Sequence, residues 1–147
     1  MSESLYSLDV LRLAAAVADH PPLDDAPLRA GRRSPTCGSR MNVTLVLNEA
    51  GCVAAVGLDA RACALGQAAA TLFARGAIGR DRAAIGAASE AWRAYLAGEA
   101  QDLPDWPGLE VLAAGRAYPA RHPSMRLAFE AAVAAFDESS DPSGDAA

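Results

Sequence analysis

The chain has 147 residues and a formal net charge of −5, enough for one domain with a real core and too little for two comfortable ones. Hydrophobic residues make up 52% but aromatics only 5%, so the core has to be built from closely packed Ala, Leu and Val, which favours helices. All 13 basic residues are arginine, which excludes Schiff-base and P-loop lysine chemistry, and Arg32–Arg33 is the one adjacent basic pair, so no phosphate-backbone footprint is present and nucleic acid is not an expected partner.

Residues 7–18, SLDVLRLAAAVA, predict a helix capped by Ser7, with Leu8, Leu11, Ala15 and Ala18 on one stripe. The N-terminal stretch has no basic start or cleavage site, and no segment holds the eighteen or so apolar residues of a membrane span, so a cytoplasmic protein without membrane contact is expected. A Pro-rich loop, PPLDDAPLRAGRRSP, leads to Cys37 in SPTCGSR. Residues 41–47 alternate as a strand, with Met41, Val43, Leu45 and Leu47 on one face and Asn42, Thr44 and Val46 on the other. NEAG at 48–51 has the pattern of a type I turn, and VAAVGLDA is the return strand. The period then changes to that of a helix opened at Cys63 and ended at Gly76, followed by a second helix from Asp81 to Gly98. A polar EAQDLPDWPG segment, a short LEVLAAG helix, the YPARHPS loop and a last helix over MRLAFEAAVAAF complete the domain, residues 1–136. Residues 137–147 are acidic and lack large apolar side chains, which predicts a disordered tail.

Three cysteines, at 37, 52 and 63, read in a reducing compartment as thiols or metal ligands. Pairing the hairpin so that partner numbers sum to 99 sets Leu45 against Ala54, Val43 against Val56 and Met41 against Leu58, an apolar face. Extended, that register places Cys37 opposite Ala62 and beside Cys63, with Cys52 at the far end of the hairpin as a small strand residue. Cys63 opens a helix with Arg61 nearby, a setting that favours thiolate.

SPTCGSR before a hairpin, then RACALGQAAATLF, then YPARH before a last helix, together resemble the IscU/NifU-like superfamily of iron–sulfur cluster assembly scaffolds, closest to the SufU-type branch. The resemblance runs in order over roughly residues 5–136, and LPDWPGLEVLAAG matches the extra residues of that branch. It implies an α+β fold, a small antiparallel β-sheet packed against several α-helices. It also implies a non-enzymatic carrier that receives sulfur from a cysteine desulfurase, holds a transient Fe–S cluster of the 2Fe–2S kind, and passes it to acceptor proteins as a monomer or weak homodimer. Cys37 and Cys63 match the first two ligand cysteines. Two positions depart: Ser39 stands where the family has aspartate, and Ser124 where it has the third cysteine. A neutral hydroxyl is a poor ligand beside thiolate, imidazole or carboxylate.

His122, two residues before Ser124, offers a replacement ligand, giving a Cys37/Cys63/His122 metal set, with Ser39, Arg61, Arg121 and Ser124 as lining. Iron and zinc both suit such donors. Two alternatives remain open at this point: a zinc-bound sulfur acceptor that stimulates the desulfurase, and a degenerate scaffold kept as a binding adaptor. Phosphate loops of the GxGxxG kind and a GxSxG nucleophile elbow are absent from the sequence.

Overall fold

The computed structural model describes residues 5–35 and 38–139; Cys37 and residues 140–147 of the expected tail lie outside the described residues. The first helix, α1, spans Leu8–Ala15 and runs on as a 3-10 turn over Ala16–Asp19. Ser7 caps it, its hydroxyl accepting from the Val10 amide at 3.2 Å. The buried face is not the expected one. Val10 and Ala14 are buried with Leu13 and Val17 half-buried, whereas Leu8 and Leu11 are 61% and 48% exposed and Ala15 and Ala18 are exposed too. Both sets follow helical spacing in an Ala/Leu-rich segment, so periodicity alone does not choose between them. The neighbouring helix does choose, through a hydrogen bond from the Thr71 hydroxyl to the Leu13 carbonyl at 2.7 Å.

Three antiparallel strands, β1 (Leu28–Arg33), β2 (Arg40–Leu47) and β3 (Val53–Arg61), form a sheet in the order β1-β2-β3. β1 falls in the stretch read as a Pro-rich loop. It is an edge strand whose LRAGRR sequence offers only Leu28 and Ala30 to the core side, too little alternation to register as a strand before β2 is there to pair with it. The expected core face of β2 is correct, with Met41, Val43 and Leu45 buried.

The register is shifted by two from expectation: Met41 pairs with Ala60, Val43 with Leu58 and Leu45 with Val56. Two single-residue insertions cause this. Gly51 takes φ +82°, donates to the Asn48 carbonyl at 3.0 Å and lengthens the turn, so that the Asn48 amide meets the Cys52 carbonyl at 2.8 Å. Ala54 is then the extra residue where Val46 pairs with Ala55 and Leu47 with Val53. One insertion would have turned β3 inside out; two restore the same faces.

Helices α2 (Ala64–Ala77), α3 (Arg82–Leu96) and α4 (His122–Ser139) follow, with 3-10 segments at Leu109–Ala117 and Pro119–Arg121. Asp81 caps α3 by accepting from the Ala84 amide at 2.9 Å. α4 begins three residues before MRLAF, so the stretch read as the YPARHPS loop is mostly 3-10 turn and first helical turn, and it carries helix through Ser139. α4 packs on the core face of the sheet and against α2 and α3. Trp92 donates from Nε1 to the Met125 carbonyl at 2.9 Å, and Phe73, Trp106 and Phe129 form one aromatic cluster with centroid separations of 5.7, 5.2 and 5.0 Å. No helix among the described residues is long and apolar enough to cross a membrane.

Candidate functional site

At the end of the sheet away from the Asn48 turn, the β1–β2 loop, the end of β3 and the starts of α2 and α4 surround a cleft of about 320 Å³. Gly38, Ser39, Arg61, Ala62, Cys63, Ala120, Arg121 and Ser124 line it. The loop is drawn tight by the Ser34 amide donating to the Ser39 carbonyl at 2.8 Å and the Gly38 amide to the Ser34 carbonyl at 3.0 Å. Cys37 is one residue from that wall but lies outside the described residues, so its expected pairing with Cys63 does too.

Cys63 sits at the N-cap of α2 in extended backbone conformation, and its side chain makes no capping hydrogen bond. The free thiol is half-buried and lies 3.4 Å from the Ser124 hydroxyl, a pair in which either group can donate. Ser124 is 1% exposed, at the floor of the cleft. Ser39 is buried at the opposite wall.

This closeness depends on Gly66 in the first turn of α2. A Cβ there would collide with the Ser124 hydroxyl and come within 2.8 Å of the Ala62 Cβ. The signal was available, since glycine inside a helix costs about 1 kcal/mol relative to alanine and so marks a close approach.

His122 is not brought to this cleft. Its Nε2 lies 3.1 Å from the Gly115 carbonyl and 3.0 Å from the Arg116 carbonyl, tying the start of α4 to the 3-10 segment. A ring nitrogen facing two carbonyl oxygens is the protonated, donating one, which leaves no lone pair there for a metal. Among the described residues no cluster of three or more His, Cys, Asp or Glu side chains is placed to hold a metal ion. The arginines do converge: Arg61 and Arg121 both line the cleft, and among the described residues no carboxylate does. Cys52 stands at the opposite end of the hairpin, beside the Asn48 turn, as expected.

The chain matches no protein-family model and no curated protein. Solved structures do match. A nitrogen-fixing NifU-like protein (N-terminal) from Brucella abortus is 28% identical with a TM-score of 0.83, the match covering 91% of this chain and 93% of that one. The chain is similar to this NifU-like domain in both sequence and fold. The NifU-like fold also superposes on a protein assigned as an iron–sulfur cluster assembly scaffold for the SUF system of the thermophile Fervidobacterium islandicum AW-1, with TM-score 0.76, 15% identity, and coverage of 89% and 96%. A hypothetical protein aligns with TM-score 0.68 at 19% identity over 87% of this chain and 96% of its own. The α+β architecture and the IscU/NifU-like likeness read from the motifs are therefore borne out.

Proposed function

We propose that this NifU-like chain is a carrier in iron–sulfur cluster assembly, which takes sulfur from a cysteine desulfurase at Cys63, holds it with iron in the cleft, and releases it to acceptor proteins. The observation that carries the reading is the cleft itself. It sets the Cys63 thiol at the N-terminus of α2, 3.4 Å from a buried Ser124 hydroxyl, beside the loop that holds Cys37. Sulfur would enter by thiol–persulfide exchange, in which the Cys63 thiolate takes the outer sulfur and the donor cysteine leaves as thiolate.

The donor set fits a cargo better than a permanent metal. Cys63 is the one strong ligand among the described lining residues, and Cys37 would supply the second. The Ser39 and Ser124 hydroxyls are weak ligands, so a cluster held here takes its remaining bonds from its own sulfides and from the protein it is passing to or from. A second reading is a sulfur acceptor that builds no cluster, and it is favoured by a specific feature: Arg61, held only loosely by Asp59 at 3.5 Å, and Arg121 line the cleft with no carboxylate among the described lining residues, a setting for anionic sulfur.

Metal and acid-labile sulfide analysis of protein purified without oxygen, with an absorption spectrum and intact mass, tests both readings. Iron with sulfide supports the scaffold, and a persulfide mass increment or zinc without sulfide supports the acceptor. Either load disappears in Cys37→Ala and Cys63→Ala and persists in His122→Ala. Equal loading in both cysteine variants rejects the site, and an empty wild type after reconstitution leaves a binding adaptor.

A further inference from the structure

Arg33, Arg40 and Arg61 stand in register across all three strands, Arg33 paired with Arg40 and Arg40 with Arg61. Residues directly opposed on antiparallel strands point to the same face with Cβ atoms about 4.5–5.5 Å apart, where like charges destabilise the pair. All three are exposed, on the face away from the core. Among the described residues, Arg33 and Arg40 form no ion pair, and Arg61 has only a loose one to Asp59 at 3.5 Å. Protection of a free sheet edge would account for an arginine on β1 but not for one on the central strand.

The middle of this face is covered around Thr44 and Gly57, both buried. The segment after α1 crosses it, the Leu58 amide donating to the His20 carbonyl at 2.7 Å and the Leu23 amide to the Thr44 hydroxyl at 3.0 Å. The arginine end stays open: Arg33 and Arg40 line a depression of about 300 Å³ with Gly31 and Asn42, and Arg61 continues into the Cys63 cleft.

We propose that the Arg33–Arg40–Arg61 row is a docking surface for carboxylates on the face of an acidic partner protein, which it seats at the mouth of the cleft. Charge complementarity selects that occupant. The row reverses the sign of a chain of net charge −5 over three side chains only, which suits a few fixed carboxylates. A nucleic acid would need a longer positive track and would meet the repulsion of the remaining surface. The inference stands whether or not the cleft carries a cluster.

The test is a backbone-amide NMR titration of the full chain with hexaglutamate, and separately with oligothymidylate, at low and physiological salt. Hexaglutamate is expected to shift the amides of residues 31–33, 40–42 and 61, to bind about tenfold more weakly at physiological salt, and to lose that response in Arg40→Gln and Arg40→Glu. Arg40→Glu places a carboxylate between two arginines, so it retains the wild-type thermal midpoint or exceeds it, and loss of binding cannot be laid to misfolding. Absence of shifts in the wild type, or equal shifts in the variants, would overturn the proposal. Oligothymidylate binding as tightly as hexaglutamate would make the row a nucleic-acid contact. Binding seen only after removal of residues 140–147 would make the acidic tail its occupant.

Discussion

Helices α2 and α4 touch twice, and the two contacts are built from opposite materials. Around Phe73 and Phe129 they are joined through aromatic rings, with Trp106 stacked on Phe73 at a 13° interplanar angle and donating to the Leu72 carbonyl at 2.8 Å. In their first turns they meet through Gly66, Ser124 and Cys63, with small side chains, a hydroxyl and a thiol. Large rings contribute buried area and little chemistry; small polar groups contribute the reverse. One helix pair therefore separates stability from reactivity by about two turns of helix, and the rigid aromatic end sets the spacing that the reactive end needs.

Phe129→Ala should show the largest effect on this comparison, a loss of about 3–5 kcal/mol in denaturant unfolding from the cavity left between Phe73 and Trp106. A loss below about 1 kcal/mol would mean the aromatic end does not anchor the pair. Gly66→Ala should destabilise by about 1–3 kcal/mol, because the new methyl meets the Ser124 hydroxyl and backbone. Its signature is a changed reactivity of the Cys63 thiol toward a disulfide reagent, which Phe129→Ala should alter less at temperatures where both are folded.

Cys63→Ala should lower stability by less than about 1 kcal/mol, since the side chain is half-buried and caps nothing, while removing all sulfur or metal loading. Unfolding curves and sulfide analysis on the same preparation check the contrast. The smallest effect belongs to α4 outside both contacts. Burial pushes the Glu130 carboxyl above its ordinary value of 4.5, while the nearby Arg126 and Arg32 guanidinium groups pull it down. Arg126 Nε is 3.6 Å from Glu130, an ion pair too long to be a hydrogen bond, and has no hydrogen-bond partner among the described residues. As pH rises past 4.5, the unfolded chain gives up its proton before the folded one does, so Glu130 takes stability away through that window. Glu130→Gln should flatten that decline in thermal midpoint. Arg82 holds the Asp137 carboxyl below its ordinary value, so this pair acts in the opposite sense, losing its contribution as pH falls through the acid range.

What was readable beforehand sorts by the range of the interaction. Ser7 caps α1 where the sequence placed a cap, Asp81 opens α3 where the sequence began that helix, and Gly98 ends α3 in a left-handed conformation, because a helix end is decided within about four residues. The inner face of β2 was legible for the same reason. β1 was not, since an arginine-rich edge strand is stabilised by pairing and not by its own pattern. Cys63 was read as a ligand and Arg61, Arg121, Ser39 and Ser124 as lining, and the structure gathers these five around one cleft. His122 was assigned to the site by its nearness in sequence to Ser124, but on a helix start two residues turn a side chain by about 200° and aim it elsewhere.

By itself the sequence determined the type of most elements, the starts of α1 and α3 and the apolar face of β2, all consequences of local periodicity and backbone preference, and it carried the motifs by which the chain resembles NifU-like proteins. Tertiary structure alone decided which stripe of α1 is buried, that two insertions cancel in the β3 register, that Gly66 admits Ser124 to Cys63, and that three arginines share one row. Each of these depends on what lies opposite across a gap in sequence. A neighbour at that distance leaves no trace in the pattern of one segment, because packing and pairing energies exist only once both partners are in place.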